Sequence, residues 1–262
     1  MRTIGFLNWK GGVGKTTLSL HTAVGLSRML SRTKHRILFL DSDKQGNASS
    51  WLDAKIDHTH PSLTHVLLDG VPIQEAIQET RYEGIDVIPA DPSLVAANLA
   101  VLRDTGRRQD IILKLALQDV EDRYMFCIID NPPDINATVF NTLVVIDDLI
   151  AVTLPNRFSL DGIEELQKEL DKLQMGQEIR GVVVNQYTSF CSDIYQELAK
   201  RYYLFPHIRG VAKTQRWRDT VVNTHRSIFE VSPHSGYARD IKSFLAKLIE
   251  VIEAQYTGKK VL

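Results

Sequence analysis

Residues 8–17 read Asn8-Trp9-Lys10-Gly11-Gly12-Val13-Gly14-Lys15-Thr16-Thr17, and what flanks them decides the fold. Before them runs the apolar Thr3-Ile4-Gly5-Phe6-Leu7, which reads as a buried strand, and after them Leu18, Thr22, Leu26 and Met29 recur at helical spacing. A strand, a glycine-rich turn and a helix in that order make a phosphate cradle. The glycines allow successive backbone N–H groups to turn inward, and the helix adds the positive end of its dipole. Lys15 is placed to neutralise phosphate charge, and Thr16 to offer a hydroxyl oxygen to Mg²⁺, a cation that takes oxygen ligands and keeps several waters.

Working outward, short apolar or β-branched runs recur at Arg36 to Leu40, Ile85 to Ile88, Met125 to Ile129, Leu149 to Leu154 and Ile179 to Val184. Between and after them lie amphipathic stripes such as Ile163, Leu166, Leu170 and Leu173, and near the C-terminus Tyr237, Ile241, Leu245, Leu248 and Ile252. Buried strands alternating with amphipathic helices predict an α/β protein, a mostly parallel twisted sheet with helices on both faces. With 262 residues, 44% of them hydrophobic, the chain can fill one such core. No repeat or long linker interrupts it, so one domain over 1–262 is expected.

The net charge of −1 means that attraction to a polyanion must come from a local cluster of cations. Two cysteines, Cys127 and Cys191, make neither a disulfide framework nor a zinc site, and a reducing cytoplasm is the natural setting. Cys127 sits inside an apolar run and reads as a small buried hydrophobe. No signal-like N-terminus and no run of 18 apolar residues occurs, so neither export nor a transmembrane segment is expected.

Two acidic sites follow the loop in sequence. Asp41-Ser42-Asp43-Lys44-Gln45-Gly46-Asn47 puts two carboxylates at i and i+2 where a strand ends, close enough to approach one metal and one water; a solvated turn is the competing reading. Phe126 to Ile129 ends in Asp130-Asn131-Pro132-Pro133, an apolar strand delivering one carboxylate towards Mg²⁺. Alone that is ordinary loop chemistry; its meaning comes from the order of the three motifs.

Two further features lie towards the C-terminus. Gly181 to Val184 ends in Asn185-Gln186-Tyr187, and an amide both donates and accepts, which suits a purine edge, though Asn is also a common turn former. Arg209, Lys213, Arg216, Arg218 and Arg226 cluster around Trp217; such a group can track a phosphate backbone or form a solvated helix face.

The loop departs from the ordinary G-x-x-x-x-G-K-[ST] pattern, since Trp9 stands at the first glycine and Lys10 precedes the glycine pair. It resembles the deviant Walker A motif, K-G-G-x-G-K-[ST], of the ParA/Soj/MinD superfamily of P-loop ATPases, in a small form without an N-terminal helix-turn-helix domain. The segment at Asp41 resembles that family's D-x-D-P-Q-G-N, with Lys44 where proline is usual. The segment at Asp130 resembles its D-x-P-P, with Asn131 a mild departure.

The resemblance implies an Mg²⁺-dependent ATPase that dimerises on ATP and hydrolyses it slowly. Gly11, Gly12, Val13, Gly14, Lys15, Thr16 and Thr17 would bind ATP and Asn185 its base. Thr16, Asp41 and Asp130 would serve the metal. Lys10, Lys15 and Asp43 would act in catalysis, Asp43 on the attacking water, and Lys10 would also bind ATP, by reaching the partner's nucleotide. It further implies a homodimer on nonspecific double-stranded DNA through Lys213, Arg216 and Arg218, a cargo-bound ParB-like activator, and plasmid or chromosome segregation in the cytoplasm at the nucleoid. A MinD-like positioning ATPase acting on a membrane or protein cargo is the alternative. The weakly apolar C-terminal residues 253–262 make a poor membrane helix.

Overall fold

A computed structural model describes residues 1–31, 33–57, 59–103, 110–173, 176–210 and 219–257. Seven strands form one sheet in the order β3-β4-β2-β5-β1-β6-β7. They are β1 (Arg2–Leu7), β2 (Arg36–Asp41), β3 (Gln78–Glu79), β4 (Ile85–Ile88), β5 (Tyr124–Asp130), β6 (Asp148–Thr153) and β7 (Ile179–Val184). Every pairing is parallel except that of β3 with β4. The expected α/β architecture is what the chain adopts.

Parallel strands need crossovers, and those crossovers cover both faces of the sheet. Alternation along each strand therefore feeds two cores. In β2, Ile37 and Phe39 join the core under α1 (Lys15–Leu30) and the C-terminal helix Gly236–Thr257. Leu38 and Leu40 join the opposite core with Val139, Leu143, Ile163, Leu166 and Leu170. Each fully buried large side chain such as Phe39 stabilises the fold by roughly 1.5–3 kcal/mol, so a one-residue slip in β2 would forfeit several at once.

Register then places the chemistry. Asp41 at the end of β2 lies opposite Asp130 at the end of β5, and Asp130 lies opposite Phe6 of β1. The loop after β1 and both carboxylates thus meet at the carboxyl edge of the sheet, where open α/β sheets bind ligands. Cys127 is fully buried and its thiol is pushed up to about 12 by burial, as expected of a small hydrophobe.

Candidate functional site

The loop between β1 and α1 is shaped from below by Asn8. Its amide Nδ2 donates to Val152 O of β6 at 2.7 Å and its Oδ1 accepts the Lys10 N–H at 2.8 Å, so one buried side chain ties the start of the loop to the sheet. At the far end Gly14 has φ 99°, and a Cβ there would lie 2.3 Å from Asn185 Nδ2. Only glycine satisfies both conditions. Lys15 opens α1, is buried, and donates to Asn8 O at 3.1 Å and Lys10 O at 3.3 Å. An ammonium carries three donors, so one remains for an anion in the cradle. Burial lowers the Lys15 pKa, while Asp130, Asp43 and Asp134 pull it back up.

Beside the loop, Asp130 is buried and its Oδ1 has no hydrogen-bond partner. Burial first, then the neighbouring Asp41, raise its pKa above the ordinary carboxylate range, against the opposing pull of Thr16 and Lys15. A buried carboxylate oxygen lacking a donor is costly, and a divalent cation held by that oxygen and the Thr16 hydroxyl would reverse the local balance.

Asp41 differs from its expected place at the metal. Its Oδ1 accepts the Asp43 N–H at 3.1 Å, and its Oδ2 accepts both the N–H and the hydroxyl of Ser49 at 2.8 and 2.7 Å. Fully buried, with both oxygens committed, it braces the Asp43 loop against α2 (Asn47–Trp51). Asp43 itself is half-buried at the rim, its Oδ1 accepting the Gln45 N–H at 3.0 Å. Gly46, at φ 61° with Ala90 O 3.0 Å from where a Cβ would stand, turns the chain into α2.

Asn185 also differs from expectation. Its Nδ2 donates to Val13 O at 2.8 Å and its Oδ1 accepts the Gln186 N–H at 2.9 Å. The amide expected at the base is used to hold the phosphate loop against the end of β7. The segment from Pro206 to Arg209 runs beside that end, with the Tyr187 N–H donating to Ile208 O and the Gly210 N–H to Tyr187 O.

Lys10 is exposed and its ammonium lies 5.9 Å from the ring centre of Phe158, which is itself 77% exposed. Its ammonium stands in solvent beside that ring and, among the described residues, forms no ion pair with the acidic residues of the site. Lys213, Arg216 and Arg218 lie outside the described residues. Of the two flanking cations, Arg209 is held by Asp240 through Nε and Nη2 at 2.7 Å each, and Arg226 stands 3.8 Å from Glu230.

Three residues that shape the site carried no role in the sequence reading: Asn8, and Asn131 and Lys44, which it marked only as departures from the family pattern. Asn131 Nδ2 donates to Phe6 O, while its Oδ1 accepts the hydroxyls of Ser42 and Thr142, locking the ends of β1, β2 and β5 together. Lys44, at the position of the usual proline, pairs with Asp134 across the rim at 3.8 Å. A polar residue directly after a strand end was the available signal for the first two.

Comparison with known proteins bears on this arrangement. The model of an AAA domain family matches residues 1–180. A virulence plasmid ParA family protein of Chlamydia psittaci is 30% identical over 95% of each chain. The chain belongs to the ParA family. A chromosome partitioning protein ParA of Myxococcus xanthus is 30% identical over 82% of this chain and 72% of its own. A cobyrinic acid a,c-diamide synthase of Mycobacterium smegmatis, solved with an ATP analogue and magnesium, has a TM-score of 0.70 and 25% identity, covering 87% of this chain and 98% of its own.

As a member of the ParA family the chain is a partition or positioning ATPase, with ATP and Mg²⁺ as cofactors. The residues present fit that pair: a glycine-shaped cradle with a buried lysine at its base, and an orphaned carboxylate oxygen beside a threonine. Mg²⁺ is commonly held by one carboxylate together with phosphate and water, which is what Asp130 beside the cradle offers.

Proposed function

We propose that this ParA-family ATPase is a single-domain switch that dimerises on ATP, binds nonspecific duplex DNA as the dimer, and is reset by slow hydrolysis. The exposure of Lys10 carries this reading. An exposed lysine in the phosphate loop, beside a likewise exposed Phe158, is suited to a nucleotide held by a second copy of the chain.

The proposed division of labour follows the geometry. The N–H groups of residues 11–17 and the third donor of Lys15 hold phosphate; Thr16 and Asp130 Oδ1 hold Mg²⁺, which when bound neutralises charge on the phosphates. Asp43, the half-buried carboxylate at the rim, orients the attacking water and accepts its proton. Asp41 keeps Asp43 in place, and Asn185 keeps the loop in place. Lys10 reaches the partner's nucleotide and stabilises charge there. Lys213, Arg216 and Arg218 are proposed for DNA, a ParB-like protein on the cargo for activation, and a plasmid or chromosome region for the cargo, in agreement with the names of the relatives above.

Light scattering on Asp43→Ala with Mg²⁺ and ATP, without and with nonspecific duplex DNA, tests the switch. Loss of the carboxylate affects chemistry more than binding, so turnover is expected to fall by about 100-fold or more while ATP doubles the mass and the doubled species binds DNA. A dimer that ignores DNA but floats with anionic liposomes would move the reading to the MinD-like alternative. A monomer with bound ATP would end it.

A further inference from the structure

Two of the elements around the cradle reach the same distant segment through single buried hydrogen bonds. The first is α2, tied to Asp41 through Ser49, whose hydroxyl also accepts the Ala90 N–H at 2.9 Å. At its last residue the Trp51 indole N–H donates to Val221 O at 3.1 Å, and the indole is buried. Its ring stacks on Tyr82 at 5.3 Å and 10°. The Tyr82 hydroxyl in turn donates to Glu230 at 2.7 Å and accepts the Ser227 N–H at 3.0 Å.

The second element is α1. One turn beyond Thr17, His21 is fully buried among Trp51, Phe229 and Tyr237. The Ile228 N–H points at its Nε2 at 3.0 Å, and its Nδ1 stands 2.6 Å from Thr17 O. A backbone N–H needs an acceptor, so Nε2 is unprotonated and Nδ1 carries the proton to Thr17 O. Burial lowers the His21 pKa to about 4, which keeps that acceptor available near neutral pH.

We infer that Trp51 and His21 are positioning residues that transmit the occupancy of the nucleotide site to residues 219–231. The Asp43 loop cannot shift without moving Ser49 and α2, because Asp41 grips both ends of that stretch. A five-residue helix is too short to absorb the shift internally, so it arrives at the indole. Val221 O and the Ile228 N–H are buried backbone groups bonded to these side chains, and the part-buried Ser227 N–H is shared between Tyr82 and Glu230; breaking the buried bonds in place is costly, so the segment follows. The inference rests on the proposed reading only in taking Asp43 and Thr16 as the nucleotide-facing ends. It adds that the segment directly following the basic stretch is held by donors and acceptors from both.

Hydrogen exchange across residues 219–231, measured with and without a non-hydrolysable ATP analogue and Mg²⁺, reads the transmission directly. In the unsubstituted protein the analogue is expected to change exchange there by about fivefold or more. Trp51→Phe keeps an aromatic ring on Tyr82 and loses only the donor; it should bind the analogue within about twofold of the unsubstituted protein, yet lose most of the response at 219–231. Tyr82→Phe, which removes the tether to Ser227 and leaves the indole bond, should lose a smaller part, and it serves as the test if Trp51→Phe does not fold. A full response in the variant that folds, or no response in the unsubstituted protein with the analogue bound, overturns the inference. Scattering on the same samples reads dimerisation separately, and Trp51→Phe compared with the unsubstituted protein at the same dimer fraction tells failure of this inference from failure of the proposed switch.

Discussion

The phosphate end and the β7 end of the site are built from the same kind of material, a strand running into a polar loop, yet they behave oppositely. After β1 the backbone itself faces the ligand, and side chains such as Asn8 merely shape it. After β7 the polar side chain that should face the ligand, Asn185, is turned back onto Val13 O. Where function resides in backbone N–H groups and glycine dihedrals, a motif dictates geometry. Where it resides in one amide, the neighbours decide which way that amide points.

The largest effect should come from the end where the contrast is sharpest. Lys15 is the only buried cation among the described residues, and its two carbonyl partners are weak substitutes for phosphate. Lys15→Ala is expected to lower ATP affinity by about 100-fold or more, since charge-assisted bonds in a partly dehydrated site are the strong ones. Equilibrium binding of a fluorescent ATP analogue would measure it. Binding within about threefold of the unsubstituted protein would mean that backbone donors alone hold the phosphates.

Asn185→Ala sharpens the comparison from the other side. If the amide is a brace, its loss removes one buried hydrogen bond and frees the Val13 carbonyl, costing about 1–2 kcal/mol of loop stability. ATP and GTP affinity should then fall together by about tenfold, with their ratio unchanged. A changed ATP-to-GTP ratio would return Asn185 to the base and erase the contrast between the two ends.

This difference also explains what could be read in advance. The strands at Arg36, Ile85, Tyr124, Asp148 and Ile179 announced themselves because most of their residues are buried on both faces, so apolar residues dominate each run even where Asp86 or Arg180 enters it. The two-residue β3 is legible to no periodicity, and it lies antiparallel on the edge. Lys15, Thr16 and Asp130 were legible because strand, loop and helix order alone sets their positions. The bond from Asp41 to Ser49 was not legible because Ser49 is a helix residue eight positions on, and nothing local says that a carboxylate at a strand end will be engaged there. The role of Trp51 left no local signal, since the carbonyl it serves is 170 positions away.

The smallest predicted effect concerns Lys44, where this chain departs from the family's proline. Its pair with Asp134 is 3.8 Å long, with side chains 42% and 49% exposed, and such pairs contribute about 0–1 kcal/mol. The Asp43 loop has stronger holds: the Asp43 N–H on Asp41, the Gly46 N–H on Asp43 O at 2.8 Å, and Ser42 on Asp130 O. Lys44→Ala should therefore shift stability by less than about 0.5 kcal/mol and steady-state turnover by less than about twofold, with the small effect vanishing in high salt. A tenfold change in turnover at unaltered ATP affinity would mean that an exposed side-chain pair sets the geometry of the hydrolytic rim. The phosphate end would then depend on side-chain partners as much as the β7 end does, and the difference drawn between them would be confined to the cradle itself.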